Sequence, residues 1–365
     1  MKRTLLLVGG GHAHIEVLRQ LAHNPSNDVD VALFNPSPST WYGGMLPGVI
    51  AGHYEPADAK VNLWALCQRA RVRFFDTSAL SLNASTCVLE SGLRERHRFD
   101  IASIDVGGVS SPILSGAGAY VVAEHPVEAL LAAISEFESV RSAGLVVRIV
   151  GGGIGAVEIA LALAHRWRDS ASRQISIVAP QRLLNGQPSR VRALVMRACR
   201  REGVVVLEHK AVGHIEPTRL RLTNGEVIDT QLTVLATGYA AAPLLEKTDL
   251  ARAADGSVLI NRQLQSSNHP HIFAAGDCAE IVGAALPKSG LWAERQGALL
   301  AANLQAYISG KPLQSFVHYR REMNVISLGE RRAVISRFGL AVAGGWVWRW
   351  KDSLDRKWMQ RYALD

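Results

Sequence analysis

Cysteine is scarce in this sequence, and its few copies lie far apart. Among 365 residues there are four cysteines, and no two of them have the spacing of a C-x-x-C pair or of a metal-binding set. The spacing therefore excludes a local dithiol redox centre and gives no support to a zinc site. We expect buried, inert thiols at Cys67, Cys87, Cys199 and Cys278.

Long apolar runs are also missing. The short run Leu5 to Val8 precedes the first glycines, and it is too short for the core of a signal peptide. No apolar run approaches the roughly eighteen residues that a membrane-spanning helix needs. We therefore expect a cytoplasmic protein that does not cross a membrane.

Strong charge bias and low complexity are absent as well. Hydrophobic residues make up 48% of the chain and charged residues 20%, which is typical of a globular protein with two or three domains. The net charge of +8 suits an anionic partner, such as nucleic acid, phospholipid or a phosphorylated cofactor. Because no nucleic-acid-binding motif accompanies the charge, we expect no nucleic-acid partner. No pattern indicates an oligomeric state.

A glycine-rich turn follows the first apolar run. The segment Leu5 to Leu18 changes from apolar residues through three glycines to a helical pattern, which predicts a strand, a tight turn and a helix. Glycine lets the backbone turn sharply and approach a phosphate, and the helix start attracts negative charge. The turn therefore predicts a dinucleotide cradle, although His14 replaces its third glycine and Asn35 stands where an acid would bind the ribose.

The same motif occurs a second time. Leu145 to Val150 is apolar, Gly151 to Gly155 is glycine-rich, and a helical pattern follows. Such a repeat within one chain is much less expected by chance than either copy, and it predicts two nucleotide sites. The acid is again missing after the next strand, where Arg182 could meet a 2′-phosphate. The alternative for Arg182 is a solvated surface cation.

Between and after these motifs the periodicity predicts further strands and helices. The strands of a first α/β unit are expected at 72–75, 87–90 and 101–106. A further strand is expected at 174–178, and the segments 232–239 and 271–279 each predict a strand that ends in a turn. Helices are expected at 61–70, 127–139 and 288–308. Two of these strands end in small-residue turns, one at Gly238 and one with a carboxylate at Asp277. An acid there is placed to accept bonds from polyol hydroxyls.

The order of these motifs resembles the two-dinucleotide flavoprotein superfamily of pyridine-nucleotide oxidoreductases. The segments that carry the resemblance are G-G-G at Gly9, G-G-G at Gly151, A-T-G ending at Gly238 and A-G-D ending at Asp277. The loop 41–48 and the ending 345–352 are similar to a narrower branch, which includes type II NADH dehydrogenase-like proteins. That branch also includes the flavoprotein domain sometimes fused to selenophosphate synthetase.

The resemblance implies an α/β fold with two Rossmann-like domains, one for FAD and one for NAD(P)H, and a C-terminal β-hairpin and amphipathic helix segment. The second domain would be inserted in the first. The implied bounds are 1–113 and 250–315 for the FAD domain, 114–249 for the NAD(P)H domain and 316–365 for the C-terminal segment.

The resemblance also assigns residues to each cofactor. FAD would lie on Gly9, Gly11, His12, Ala13, Asn35, Tyr42, Pro47, Gly107, Gly276 and Asp277. The nicotinamide cofactor would lie on Gly151, Gly153, Ile154, Gly155, Arg182 and Gly238. The implied catalytic side chains are those of Glu158 and Lys288. The alternative for Glu158 is an ordinary helix acid.

Two departures from the superfamily narrow the chemistry. The loop after the second strand has no cysteine pair, so dithiol substrates are disfavoured. Type II dehydrogenases carry an A-Q-x-x-x-Q-like quinone motif, and in this chain only Gln296 resembles it. The resemblance nevertheless favours an FAD enzyme that takes hydride from NAD(P)H and passes electrons to a quinone-like acceptor. The alternative is a soluble redox or regulatory flavoprotein with a protein partner, which the resemblance to the fused branch would link to selenium metabolism.

The C-terminal segment carries an aromatic stripe. Trp350, Leu354, Trp358 and Tyr362 recur at four-residue spacing, next to several lysines and arginines. Aromatic and cationic side chains together suit the headgroup region of an anionic membrane, so we predict peripheral attachment to the cytoplasmic face. The alternative is that the stripe packs on the protein's own FAD domain.

Overall fold

The computed structural model describes residues 2–25, 28–110, 120–140, 144–170, 172–284, 288, 290–317 and 323–363. The elements up to residue 110 are β1 (Arg3–Val8), α1 (His12–His23), β2 (Val29–Asn35), β3 (Ser39–Trp41), α2 (Leu46–Ile50), β4 (Lys60–Asn62), α3 (Leu63–Ala70), β5 (Arg73–Asp76), β6 (Ala79–Asn83), β7 (Val88–Ser91), β8 (Arg96–Arg98), β9 (Ile101–Ile104) and β10 (Gly108–Ser110).

The later elements include a second set of alternating strands and helices. Those up to residue 246 are β11 (Val121–Ala123), α4 (Val127–Val140), β12 (Val146–Val150), α5 (Ile154–Arg166), β13 (Gln174–Val178), α6 (Ser189–Arg201), β14 (Val204–Leu207), β15 (Val212–Glu216), β16 (Arg219–Leu222), β17 (Val227–Asp229), β18 (Leu232–Leu235), β19 (Tyr239–Ala241) and α7 (Pro243–Glu246). The remaining ones are β20 (Val258–Ile260), β21 (Ile272–Ala274), β22 (Ala279–Ile281), α8 (Gly290–Ile308), β23 (Asn324–Ser327), β24 (Ala333–Arg337), β25 (Leu340–Gly344) and α9 (Gly345–Tyr362).

The first large sheet is parallel and has the strand order β21–β9–β1–β2–β5. Leu5 in β1 pairs with Val31 on one side and with Ile101 on the other. These strands are almost continuously apolar, as buried parallel strands are, and residues of α1, α3 and the antiparallel strands β6 and β7 share one hydrophobic core with them. The strand order reverses between β1 and β9, which makes the carboxyl end of these two strands a crevice for ligands.

The second large sheet repeats this arrangement with the order β11–β18–β12–β13–β14, again parallel. Its reversal point lies between β12 and β18. The two sheets confirm the predicted α/β fold class with Rossmann-like cores. Strands β11 to β18 come between β9 and β21 in the chain, but the predicted boundary between 113 and 114 lies outside the described residues, and the exact bounds of the domains stay a prediction.

One predicted strand belongs to a different sheet. The strand expected at 87–90 is β7, and it pairs in antiparallel fashion with β6 and β8 and not with the parallel sheet. The predicted strand is therefore present, and Leu89 packs in the same hydrophobic core as β1, but its partners are antiparallel. A short apolar run has the same sequence pattern in a parallel strand and in a hairpin. The local pattern therefore does not indicate which strands will be its hydrogen-bond partners.

The C-terminal segment forms an antiparallel sheet, β23–β24–β25, followed by α9. Val347, Asp355, Trp358 and Tyr362 are the buried residues of α9. Within the described residues, no helix is both long and apolar enough to span a bilayer.

Candidate dinucleotide sites

The first glycine turn lies at the carboxyl end of β1, at the reversal point of the first sheet. Gly9 has φ +91°, and a Cβ on it would lie 2.4 Å from Asp105 O. Its N–H donates to Phe34 O at 2.9 Å. Both the positive φ and the close approach require glycine at this position. The contacts with Phe34 and Asp105 place the turn between the end of β2 and the end of β9.

The start of α1 is capped by a distant carboxylate. Gly11 is the N-cap residue and has no side chain to offer, but Asp105 Oδ2 accepts from Ala13 N at 2.8 Å and from His14 N at 3.0 Å. A Cβ on Gly11 would lie 2.3 Å from Asp105 Oδ1. Burial raises the pKa of Asp105 to about 7. Gly11 is therefore required by the protein's own carboxylate as well as by any phosphate.

His14 takes the place of the third glycine without leaving a gap. Its ring is fully buried, with Nδ1 at 2.6 Å from Gly9 O and Nε2 at 2.8 Å from Ser103 Oγ. Burial lowers the pKa of His14 to about 4, so the ring is neutral at physiological pH. The imidazole thus ties α1 to the turn and to β9 by hydrogen bonds.

Asn35 also supports the turn. Its Oδ1 accepts from Gly10 N at 2.8 Å and its Nδ2 donates to Ser37 O at 2.7 Å. The amide is therefore engaged with the backbone on both sides, and a bond to a ribose hydroxyl would use the second lone pair of Oδ1.

Tyr42 and His12 lie beneath the C-terminal helix. The Tyr42 ring stacks on Trp358 with centroids 4.1 Å apart, and the His12 ring lies 5.4 Å from Trp358. Tyr42 Oη donates to Asp355 Oδ1 at 3.1 Å. The C-terminal segment therefore covers one side of the predicted FAD site, in line with the alternative interpretation of its aromatic stripe.

Lys351 joins the same group of contacts from α9. Its Nζ donates to Gly44 O, just before the helix α2 that carries the buried Pro47, and to Asp355 Oδ2 on α9, each at 2.5 Å. Lys351 was expected among cations that flank a membrane stripe, but its ammonium points into the protein.

The A-G-D turn after β21 faces the first glycine turn. Gly276 has φ +72°, and a Cβ on it would lie 2.6 Å from Asp105 Oδ1. Gly276 N donates to Gln296 Oε1 at 2.7 Å, so this glutamine supports the turn. Lys288 Nζ donates to Asp277 O at 2.7 Å and pairs with Asp255 at 3.0 Å. In the structure Lys288 holds the A-G-D turn in place, and a catalytic role for it stays a prediction.

The second glycine turn repeats the first. Gly151 has φ +146°, and a Cβ on it would lie 2.0 Å from Ala236 O. Gly153 is the N-cap of α5, again without a capping side chain, and Ile154 begins the helix. A Cβ on Gly155 would lie 2.6 Å from Oε1 of Glu124, a residue that the sequence did not bring forward.

Glu124 follows β11 and faces the start of α5. Burial, and secondarily the charge of Glu158, raises the pKa of Glu124 to about 7. Tyr239 lies near the same carboxylate, and its hydroxyl is 3.1 Å from His125 Nε2. Each glycine turn is thus accompanied by one carboxylate from elsewhere in the chain, buried for Asp105 and half-buried for Glu124.

Glu158 is half-buried where α5 meets the C-terminal segment. Its Oε1 accepts from Ser327 N at 2.7 Å. Burial raises the pKa of Glu158, while Lys351 and the hydrogen bonds from Ser327 lower it. The side chain therefore connects α5, β23 and α9 and is more than an exposed helix acid.

The remaining predicted residues lie on turns. Gly107, after β9, has φ +63°, and Gly238, after β18, has φ +93°, and a Cβ on either would meet no atom within 4 Å. Arg182 is exposed on the loop after β13. Near it lies an acid that the sequence did not indicate, Glu208, whose Oε1 accepts from Leu183 N at 2.6 Å and from Arg192 at 2.7 Å.

The cysteines form no disulfide in the described part of the chain. Cys67, Cys199 and Cys278 are buried, and Cys87 is partly buried. Burial raises the pKa of Cys67 and Cys278 to about 12 and that of Cys199 to about 11, so these thiols are protonated at physiological pH. None of them has the low pKa of a redox thiol.

The arrangement fits two dinucleotides. Each turn lies between a parallel strand and a helix, at the reversal point of its sheet, and each helix begins with a glycine that provides no cap of its own. A helix start attracts a pyrophosphate, and at α1 the amides of Ala13 and His14 also donate to Asp105. Open space beside Gly107, Gly153 and Gly238 leaves backbone that a ligand can approach.

Comparison with known proteins supports this interpretation. The profile of the pyridine nucleotide-disulphide oxidoreductases matches residues 3–297, well over half of the chain. The chain belongs to this family. FAD and NAD(P)H are the cofactors of the family, and the predicted class, an FAD-dependent NAD(P)H oxidoreductase, is confirmed at that level.

Individual relatives extend the comparison. The chain is 28% identical to demethylphylloquinone reductase of Synechocystis over 67% of its own length and 63% of that protein. It is 22% identical to the NADH dehydrogenase-like protein YutJ of Bacillus subtilis over 96% of its length and 99% of that protein. Its fold is similar to that of Plasmodium falciparum NDH2 in complex with NADH, with a TM-score of 0.83, 14% identity and complete coverage of both chains.

Proposed function

We propose that this protein oxidises NAD(P)H and passes the electrons through FAD to a quinone. The observation that carries the proposal is the duplicated glycine turn at the reversal points of two parallel sheets, with α9 closing the first of them. When bound, FAD supplies the hydride acceptance and the electron transfer. The residues of the chain hold, orient and shield the two dinucleotides.

The backbone and the buried polar groups perform that positioning. Gly9 and Gly11 shape the FAD turn, and Gln296 fixes the A-G-D turn through Gly276 N. Tyr42 is held by Trp358 and Asp355, so the loop that carries it has a defined position. A site held by such supporting contacts keeps reacting groups aligned without help from solvent.

A quinone is the acceptor favoured by the comparisons. A relative named for demethylphylloquinone reduction and one named as a type II NADH:quinone oxidoreductase both match this chain. The high pKa values of the buried thiols argue against a disulfide substrate. Gln296 supports Gly276, so we place the quinone contact elsewhere than at this glutamine.

We further propose contact with an anionic membrane surface through part of the C-terminal stripe. Trp346, Trp350 and Leu354 are 56%, 37% and 42% exposed and share one face of α9. Trp358 and Tyr362 are buried on the protein instead, as the alternative interpretation expected. A membrane role therefore rests on the exposed half of the stripe and on the exposed cations around it.

Steady-state oxidation of NADH and NADPH tests the acceptor. We expect a short-chain ubiquinone analogue to support rapid oxidation by the FAD-loaded protein, and a disulfide such as lipoamide to support none above the rate with oxygen. Faster turnover with the disulfide than with the quinone would refute the proposal.

A further inference from the structure

Each glycine turn has a carboxylate of the protein at the place where the helix start attracts an anion. At the first turn, Asp105 Oδ2 accepts from two amides of α1, Ala13 N and His14 N, at 2.8 and 3.0 Å. The glycines on both sides, Gly11 and Gly276, leave room for this carboxylate and for no side chain of their own. Asp105 is 2% exposed.

A pyrophosphate bound at this helix start carries negative charge to the same end of α1. Asp277, on the A-G-D turn, already adds negative charge close to Asp105. Among the described residues the nearby cation is Lys288, whose ammonium is already engaged by Asp277 O and by the carboxylate of Asp255. The His14 ring is neutral and Cys278 is a protonated thiol. Two like charges in a buried site disfavour the ionised form of the carboxyl group.

At the second turn a carboxylate from an unrelated part of the chain again lies beside the helix start. Glu124 follows β11, and its carboxylate faces Gly155 in the first turn of α5. The titratable groups around it are Glu158 from α5 and Tyr239 from β19, and both have raised pKa values. His125, the next residue, bonds the Tyr239 hydroxyl and has a lowered pKa. No permanent cation faces Glu124 from these elements.

We propose that Asp105 and Glu124 are the proton-accepting groups of the two dinucleotide sites, so that binding of FAD protonates Asp105 and binding of the nicotinamide dinucleotide protonates Glu124. Each site takes its proton from solvent, and the protonated carboxyl group remains as a neutral partner of the helix start. The inference rests on the proposed function, because it treats the two turns as dinucleotide sites.

The sign of the pH dependence follows from the ordinary linkage relation. In the free protein burial raises the pKa of both groups to about 7, and a bound anion raises it further. The bound state then holds more protons than the free state above about pH 7, so affinity falls as pH rises. The fall is at most about tenfold per pH unit, the value for one proton.

Proton uptake on FAD binding tests the first site without any variant. Apoprotein is mixed with FAD in weakly buffered solution containing an indicator dye, at pH 7.5 to 8. We expect uptake of up to one proton per FAD and a dissociation constant that rises about threefold to tenfold from pH 7 to 8. Binding of FAD with no proton uptake would overturn the inference while leaving the proposed function intact, whereas no binding of FAD would refute the proposed function itself.

Two variants separate the sites. Asp105→Asn keeps the shape and an acceptor for the two amides, and we expect it to abolish proton uptake with FAD. Glu124→Gln is expected to leave uptake with FAD unchanged and to abolish it when ADP-ribose, which lacks nicotinamide, is titrated into the FAD-loaded protein by calorimetry. The reverse pattern, or uptake that both variants retain, would contradict the assignment.

Matched controls come from acids outside the turns. Asp100 Oδ2 accepts from Thr4 N at 2.7 Å at the opposite end of the same strand region, and Glu136 is exposed on α4. Asp100→Asn and Glu136→Gln should each retain wild-type proton uptake with both ligands. Should a control lose the uptake as well, the effect would belong to the net charge of the protein and not to the two turns.

Discussion

At the scale of single residues, Gly11 and Asp105 show what the glycine motif predicted and what it left out. The glycine pattern indicated a phosphate cradle, and the structure shows that the same glycine also makes room for a carboxylate. Asp105 and Glu124 come together with the turns from distant parts of the chain, so local pattern could not pair them with the glycines. The one available signal was an acid directly after the apolar run of β9.

The substitution Gly11→Val should abolish FAD binding. A branched side chain at this position would collide with Asp105 and displace the start of α1. We expect loss of the flavin spectrum from the purified variant. The matched control is Gly153→Ala, the corresponding glycine of the second turn, where a Cβ meets no atom within 4 Å. A Gly11→Val protein that retains stoichiometric FAD would show that the cradle lies elsewhere.

Glu158→Gln should slow flavin reduction more than it destabilises the fold. The amide keeps an acceptor for Ser327 N but removes the charge near Lys351. We expect the rate of flavin reduction by NADH to fall about tenfold, which is about 1.4 kcal/mol in the barrier. Stopped-flow absorbance measures the rate, and thermal unfolding measures the stability. An unchanged rate with both nucleotides returns Glu158 to a purely structural role.

Arg182 should permit NADPH as a substrate. No carboxylate follows β13 directly to repel a 2′-phosphate, and Arg182 is exposed on that loop. Glu208 is already neutralised by Arg192. We expect less than a hundredfold preference for NADH in flavin reduction, and a selective loss with NADPH in Arg182→Ala. The control is the neighbouring exposed Arg190→Ala, which should leave the ratio unchanged. A preference for NADH above a hundredfold would defeat the prediction.

At the scale of elements, the predictions that depended on local pattern were close to the structure. The helices expected at 61–70 and 127–139 are α3 and α4, and the strand expected at 174–178 is β13, because apolar period and flanking turns are local properties. Strand partners are not local, which is why the sequence predicted β7 as a strand but not its antiparallel pairing with β6 and β8. For the same reason the sequence did not predict that one half of the stripe on α9 is exposed and the other half buried. The four-residue spacing shows that the side chains share a face, but not what covers them.

The exposed half of that stripe should bind anionic lipid. The triple substitution of Trp346, Trp350 and Leu354 by serine removes the exposed apolar face but leaves the buried contacts of Trp358. We expect the wild type, and not this variant, to cosediment with anionic liposomes at low salt, and high salt to weaken the binding. Truncation after Gly344 is a poorer test, because it would also uncover Tyr42 and Tyr54.

The matched control changes exposed apolar residues far from α9. Val140, Val205 and Val227 are 57%, 56% and 42% exposed, so their triple substitution by serine removes side chains of similar exposure. This control should cosediment like the wild type. If the wild type stays in the supernatant at low salt, the membrane surface is not a partner of this chain.

At the scale of the whole molecule, the order of the motifs predicted the two parallel sheets and their family, because each motif has one structural meaning at the end of a parallel strand. The place of the C-terminal segment could not be predicted in the same way. Its contacts, from Ser327 to Glu158 and from Lys351 to Gly44, join residues that are far apart in the chain. The parts of the chain that carry the two glycine turns therefore meet α9 at one group of charged side chains, Glu158, Lys351 and Asp355.

Anaerobic titration of the FAD-loaded protein tests the central claim most directly. NADH, and separately NADPH, is added while the flavin absorbance is followed, and a short-chain quinone is then added to the reduced protein. We predict stoichiometric bleaching of the flavin by at least one nucleotide and rapid recovery of its absorbance on addition of the quinone. A flavin that neither nucleotide bleaches would contradict the account, and a bleached flavin that the quinone does not reoxidise would contradict the proposed acceptor.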